Sequence, residues 1–215
     1  MKRRGVAGKS VAYNRIRRNL QTGDLILFHG LDLESEIIEI FELSLWSHVG
    51  MVVRMPCLNY PLLWESTPRH FLTDPLLDRP KAGPRLVSLD ERLTMAIDKH
   101  LYDRFMVRSL RIHRSAQMLR TLSAFIAEVH LMDFPGNWHM LKDFLEGRLL
   151  KARPDTRCSF YCAELIAETY MRLGLMRKSP PSNAYLPKDF APGGNLTLQK
   201  GATLEAGIYL RLQGV

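Results

Sequence analysis

The chain has few cysteines: only Cys57, Cys158 and Cys162 in 215 residues. So small and odd a number argues against a disulfide scaffold and fits reduced thiols. Metal binding is equally poorly served. Cys158 and Cys162 are four apart, no second pair stands at ligand spacing, and the seven histidines are scattered. We therefore expect no metal and no cofactor. No run approaches the ~18 consecutive apolar residues that cross a bilayer. No basic segment is followed by the apolar core of a secretory leader, so a cytoplasmic location is the expectation. Low-complexity stretches and internal repeats are missing as well.

Acidic residues are absent from the start of the chain. Lys2, Arg3, Arg4, Lys9, Arg15, Arg17 and Arg18 all precede the first of them, Asp24. The net charge of +8 is concentrated there, and without that segment the body is close to neutral. Residues 1–20 thus read as a solvated, flexible basic arm, and no specific nucleic acid is expected as a partner. The other reading of the arm is weak contact with an anionic membrane, where each basic residue near the surface adds about 1 kcal/mol. Residues 21–215 read as a single domain, long enough to bury a core, with a mainly helical insertion around 90–150.

What is present begins at Gly23-Asp24, a turn before the apolar run Leu25-Ile26-Leu27-Phe28, which reads as a buried strand. Residues 35–43 alternate Ile37, Ile38, Ile40 and Phe41 with glutamates at helical spacing. His48-Val49-Gly50-Met51-Val52-Val53 reads as a central strand, and Leu62-Leu63-Trp64-Glu65-Ser66 as its antiparallel return across a turn at 56–61. Residues 68–90 read as a long loop with a short strand at Leu86-Val87, and 105–112 as another strand. Leu119, Leu122, Ile126 and Val129 predict a helix over 115–131, and a second is expected over 138–150. A turn at 184–190 and a closing strand over 208–212 complete the pattern.

The chemistry-bearing stretch is Ser159-Phe160-Tyr161-Cys162-Ala163-Glu164-Leu165-Ile166. With Ser159 as N-cap and Gly174 as the stop, Cys162 falls in the first helical turn, on the core-facing stripe. A free thiol with a pKa of ~8.5 is only ~3% ionised at neutral pH, and a helix N-terminus with an adjacent imidazole favours the thiolate. Taken alone, a buried cysteine at a helix start is more often structural than catalytic. His48 alone is no stronger, since a histidine beginning a strand can simply satisfy a local hydrogen bond. Together they fit one arrangement, in which a helix start packed on an antiparallel sheet sets a cysteine over an imidazole. Glu65 is the natural orienting group, as the only carboxylate in the strand paired with that of His48.

These segments resemble the circularly permuted branch of the NlpC/P60 papain-like superfamily, within it the YiiX/YebB-like cysteine hydrolases. The similarity runs in order through Gly23-Asp24, Trp46-Ser47-His48-Val49-Gly50, Glu65, Tyr161-Cys162-Ala163-Glu164-Leu165 and Pro187-Lys188-Asp189-Phe190, covering most of 21–215. It implies an α+β papain-like fold, with an antiparallel sheet packed against helices and the nucleophile at a helix N-terminus. It also implies a Cys162–His48–Glu65 triad acting on an amide, peptide or (thio)ester carbonyl through an acyl-thioenzyme. Ala163 departs from the serine the family often has, at a position outside the triad.

Three alternatives compete. A lipid-directed phospholipase or acyltransferase of the lecithin:retinol acyltransferase kind has the same His-then-Cys order. It typically carries a second histidine where Glu65 stands, and an Asn-Cys-Glu-His motif. A non-catalytic binding module on the same fold is the second alternative. Nucleic-acid binding rests on the arm alone. The substrate is expected to be a peptide, an amide or an acyl lipid. His29, His70, His100, His113, His130 and His139 are expected at the surface or in loops, Cys57 in a turn, and Cys158 ahead of the helix. Asp24 reads as a turn-former.

Overall fold

Alternation of apolar residues along the central strands gives the sheet two buried faces, and helices cover both. The computed structural model describes residues 9–30, 45–67, 69–130 and 157–212. The expected helices over 35–43 and 138–150 lie outside these residues. The elements run β1 (Ser10–Ala12), α1 (Tyr13–Ile16), β2 (Leu25–Gly30), β3 (His48–Val53), β4 (Leu62–Thr67), β5 (Thr73–Asp74), β6 (Arg79–Pro80) and β7 (Gly83–Ser88). Then come α2 (Leu89–Asp98), β8 (Tyr102–Arg108), β9 (Leu110–Arg111), α3 (Ala116–His130), α4 (Arg157–Arg172), 3-10 turns at Ser182–Ala184 and Pro187–Phe190, β10 (Thr203–Leu204) and β11 (Ile208–Arg211). The main sheet has seven strands in the order β1-β11-β8-β2-β3-β4-β7. Among the described residues, only the β1–β11 pair of this sheet is parallel. This is a mixed α+β architecture with a mostly antiparallel sheet. Among the described residues no helix is long and apolar enough to cross a membrane.

Odd-numbered residues of β2 and β3 (Leu25, Leu27, Val49, Met51) join Leu62, Trp64 and Leu86 in one layer. There they meet Leu122, Ile126 and Val129 of α3 and Leu165, Ile166 and Tyr170 of α4. The even-numbered set, Ile26, Phe28 and Val52, joins Leu63, Val87 and Phe105 in the other layer, under Leu89, Leu93 and Ala96 of α2. A period of two in the strands is thus read against a helical period in the covering elements. Polar ties fix the orientation of α4: Trp64 Nε1 donates to Thr169 Oγ1 at 3.2 Å, and the Tyr170 hydroxyl to the Gly23 carbonyl at 2.6 Å. Asp24 is the turn-former expected, its carboxylate accepting the Gln21 and Leu110 backbone N–H groups at 2.9 Å each.

The structure corrects several expectations. Residues 9–20 are not a free arm. Ser10–Ala12 pairs with β11, and Tyr13 and Leu20 are buried. The Tyr13 hydroxyl and the Arg17 guanidinium both bind Asp90 of α2, at 2.6 and 2.5 Å. The loop over 68–90 holds β5, β6 and the fully buried β7, and α2 follows where only a general helical insertion was expected. His130 is buried, with Nε2 2.5 Å from Asp74 Oδ2, and does not lie at the surface.

Candidate active site

His48 opens β3, and Glu65 lies in β4 on the same face of the sheet. Met51 pairs with Trp64, so Gly50 falls opposite Glu65, and His48 lies two residues further along on the same face. Gly50 answers to close packing on that face, because a Cβ there would come within 2.8 Å of the Leu63 side chain. His48 Nε2 stands 2.7 Å from Glu65 Oε2, with both side chains buried. The Phe28 ring meets the imidazole edge-on at 5.1 Å between centroids, and Tyr102 lies at 6.2 Å.

Two arginines that the sequence reading did not single out complete this cluster. Arg85, from β7, donates to Glu65 Oε1 through Nε at 3.1 Å and Nη2 at 2.7 Å. Its Nη1 is taken up by the Arg69 and Lys81 carbonyls. Arg92, from α2, donates through Nε to both Glu65 oxygens, at 3.1 and 3.0 Å, and its guanidinium lies over the Phe28 and Tyr102 rings. A signal for Arg92 was present. Leu89, Leu93 and Ala96 define the apolar stripe of α2, and position 92 falls on it, so a charge there needs a buried partner.

The electrostatics follow from burial and these charges. Burial pushes the Glu65 carboxyl up, but the Arg92 and Arg85 charges and the His48 hydrogen bond outweigh it and hold it well below the usual range. Burial drives the His48 pKa down; Glu65 opposes this, and Arg92 and Arg85 reinforce it. With Glu65 ionised, His48 Nε2 carries the proton it donates, and Nδ1 is the basic nitrogen.

Cys162 belongs to the opposite layer, with Val49, Trp64 and Leu165. Its link to His48 runs through β3. The β2–β3 pairing extends to Phe28 and His48, and the β4–β7 pairing to Thr67 and Gly83. The β3–β4 ladder, however, covers only residues 51–53 against 62–64. The seam therefore opens toward His48. The Val52 N–H donates to Asp24 of the β2 side, so odd residues of β3 aim theirs toward β4. At Val49 the ladder has lapsed, and its N–H is directed at the Cys162 sulfur.

The helix begins at Arg157, so Cys162 is its sixth residue and lies beyond the first turn, contrary to the expected cap at Ser159. Burial pushes its thiol up to about 12, the Val49 and Ala163 N–H groups pull the other way, and the Glu65 charge adds to the rise. The resting pair is a neutral thiol and a neutral imidazole. Thus His48 and Glu65 are in hydrogen-bond contact, while Cys162 stands across the strand from them at the opened seam.

Of the other candidates, Cys57 is exposed and His29 pairs with Asp103. Among the described residues, no group of three or more His, Cys, Asp or Glu is arranged to hold a metal. A cleft of about 350 Å³ opens beside the start of β3, lined by Leu45, Trp46, Lys188, Asp189, Gly193 and Asn195 among others.

No family model matches the chain, and no curated protein matches it. Among solved structures it is similar to that of the metalloprotein YiiX from Escherichia coli O157:H7, of the DUF1105 group. The likeness has 18% identity and a TM-score of 0.43, and covers 74% of this chain and 68% of that one.

Proposed function

We propose that the chain is a thiol hydrolase of papain-like, permuted NlpC/P60 kind, with Cys162 as nucleophile, His48 as base and Glu65 as the orienting group. The observation that carries this reading is the buried His48–Glu65 hydrogen bond at 2.7 Å, one residue from the backbone N–H that points at the Cys162 sulfur. Glu65 holds the Nε2–H tautomer and leaves Nδ1 to take the thiol proton. The sulfur then adds to the substrate carbonyl carbon, and the oxyanion is held by backbone N–H groups near the sulfur. Collapse transfers the imidazolium proton to the leaving amine or alcohol and leaves an acyl-thioenzyme. Water, deprotonated by His48, then releases the acid and regenerates the thiol. Because Cys162 is fully buried, acylation has to follow displacement of what covers it.

That same burial favours a second reading, a binding module whose Cys162 is a packing residue. Incubation with fluorogenic peptide, acyl-ester and phospholipid panels, with intact-mass detection of an acyl adduct, decides between them. The hydrolase reading expects turnover and an adduct on Cys162, both lost in Cys162→Ala. Turnover confined to the phospholipids assigns a lipid-directed enzyme. Equal inactivity of wild type and Cys162→Ala leaves the binding module.

A further inference from the structure

Glu65 is held by more positive charge than one carboxylate needs. Arg85 alone supplies two donors to Oε1, while Arg92 bridges both oxygens. All three side chains are essentially fully buried. Two guanidiniums against one carboxylate leave the cluster at +1 before His48 is counted. Arg92 is also imperfectly satisfied, since its Nη1 is buried with no hydrogen-bond partner among the described residues. A second buried guanidinium with a stranded N–H is a poor device for stability alone, because desolvating it costs more than a redundant ion pair returns.

We propose that Arg92 is a positioning residue that reverses the field at His48, so that the buried imidazole faces a net positive cluster and stays neutral while Glu65 still fixes its tautomer. This rests on the reading of His48 as the general base. A lone carboxylate beside an imidazole favours imidazolium, which cannot accept a proton. Here burial disfavours the imidazolium first, the carboxylate keeps its hydrogen bond to Nε2, and the Arg92 and Arg85 charges together work against the charge of Glu65. His48 is thereby kept as a base under mildly acidic conditions. Its imidazolium, the proton donor to the leaving group, forms only when a proton arrives from the thiol.

The other groups facing His48 do not supply this field. Phe28 of β2 carries no charge. Burial raises both the Tyr102 hydroxyl of β8 and the Cys162 thiol of α4, so each is neutral near pH 7. Among the described residues, Glu65 of β4, Arg85 of β7 and Arg92 of α2 are the charges that remain.

The test is an NMR titration of the His48 ring nitrogens in the full chain, in wild type, Arg92→Gln and Arg92→Lys. Wild-type His48 is expected to titrate below the ordinary 6.5 with the proton on Nε2. Arg92→Gln is expected to move the midpoint up by about one pH unit, a tenfold change in proton affinity, and Arg92→Lys to leave it near wild type. A wild-type midpoint above 6.5 overturns the proposal without any variant. So does an Arg92→Gln chain that loses urea resistance while His48 titrates as before, the behaviour of a merely structural residue. The titration needs no turnover. A chain inactive on every substrate but showing the shift refutes the hydrolase reading alone, whereas an active chain without the shift refutes this one alone.

Discussion

The backbone N–H of Val49 is directed at the sulfur of Cys162, from the point where β3 and β4 part. One strand therefore presents the imidazole of its first residue on one face and a donor to the thiol at its second. The thiol is nevertheless buried and protonated, which bears directly on its reactivity.

Iodoacetamide near neutral pH is expected to modify the exposed Cys57 before Cys162. The thiolate is the reacting form, and a thiol pushed up to about 12 in a buried site offers almost none of it. Peptide mapping of the alkylated chain over time checks the order. First reaction at Cys162 would mean an open site with an ionised sulfur.

Stability should fall in acid in two stages with the same sign. His48 has its folded pKa lowered from 6.5, so its contribution is complete above 6.5 and is lost as pH falls through the folded value. Glu65 is held well below 4.5, so its contribution is likewise lost as pH falls from 4.5 toward the folded value. Urea midpoints measured from pH 8 to 3 in wild type and His48→Asn test this. The upper stage should vanish in the variant, and its persistence would assign it to another group.

Asp24→Ala should destabilise the chain by about 2–5 kcal/mol, since two backbone N–H groups and the Arg114 guanidinium lose their acceptor. Chemical denaturation measures the loss. Asp24→Asn should recover part of it, because the amide oxygen replaces one acceptor. Unchanged stability in the alanine variant would remove Asp24 from the structural role assigned to it.

Deleting residues 1–18 should lower stability as well as net charge, because it removes β1 and the Tyr13 and Arg17 contacts to Asp90. The single change Arg17→Ala should cost about 1 kcal/mol, as expected for a half-buried ion pair. Thermal melts check both. Co-sedimentation with anionic vesicles tests the membrane role: equal binding by the full and shortened chains dismisses it.

Much of this was legible locally. The strand pair of His48 and Glu65 follows from β-branched alternation on both sides of a Pro-bounded turn, and that pairing alone brings the two side chains within reach. The helices over 116–130 and past Cys162 follow from apolar spacing, and β11 from its terminal run. Less legible were segments whose order depends on distant partners. The basic stretch before Asp24 looks solvated by composition, yet β11 supplies it with a strand to pair and Asp90 with a counter-charge. The start of α4 could not be read from Ser159, because side-chain capping is a preference of only about 1 kcal/mol and does not by itself set where a helix begins.

By itself, then, the sequence determined the strand that carries His48, the carboxylate on the neighbouring strand, and the helix that carries Cys162, because these depend on periodicity over a few residues. Tertiary structure alone decided the charge on the pair. Arg85 and Arg92 lie 20 and 27 residues beyond Glu65, and only the pairing of β4 with β7 and the packing of α2 bring them onto its carboxylate. It also decided which layer holds the thiol. A helix chooses a face of the sheet through burial of its whole stripe, and not through any one residue on it.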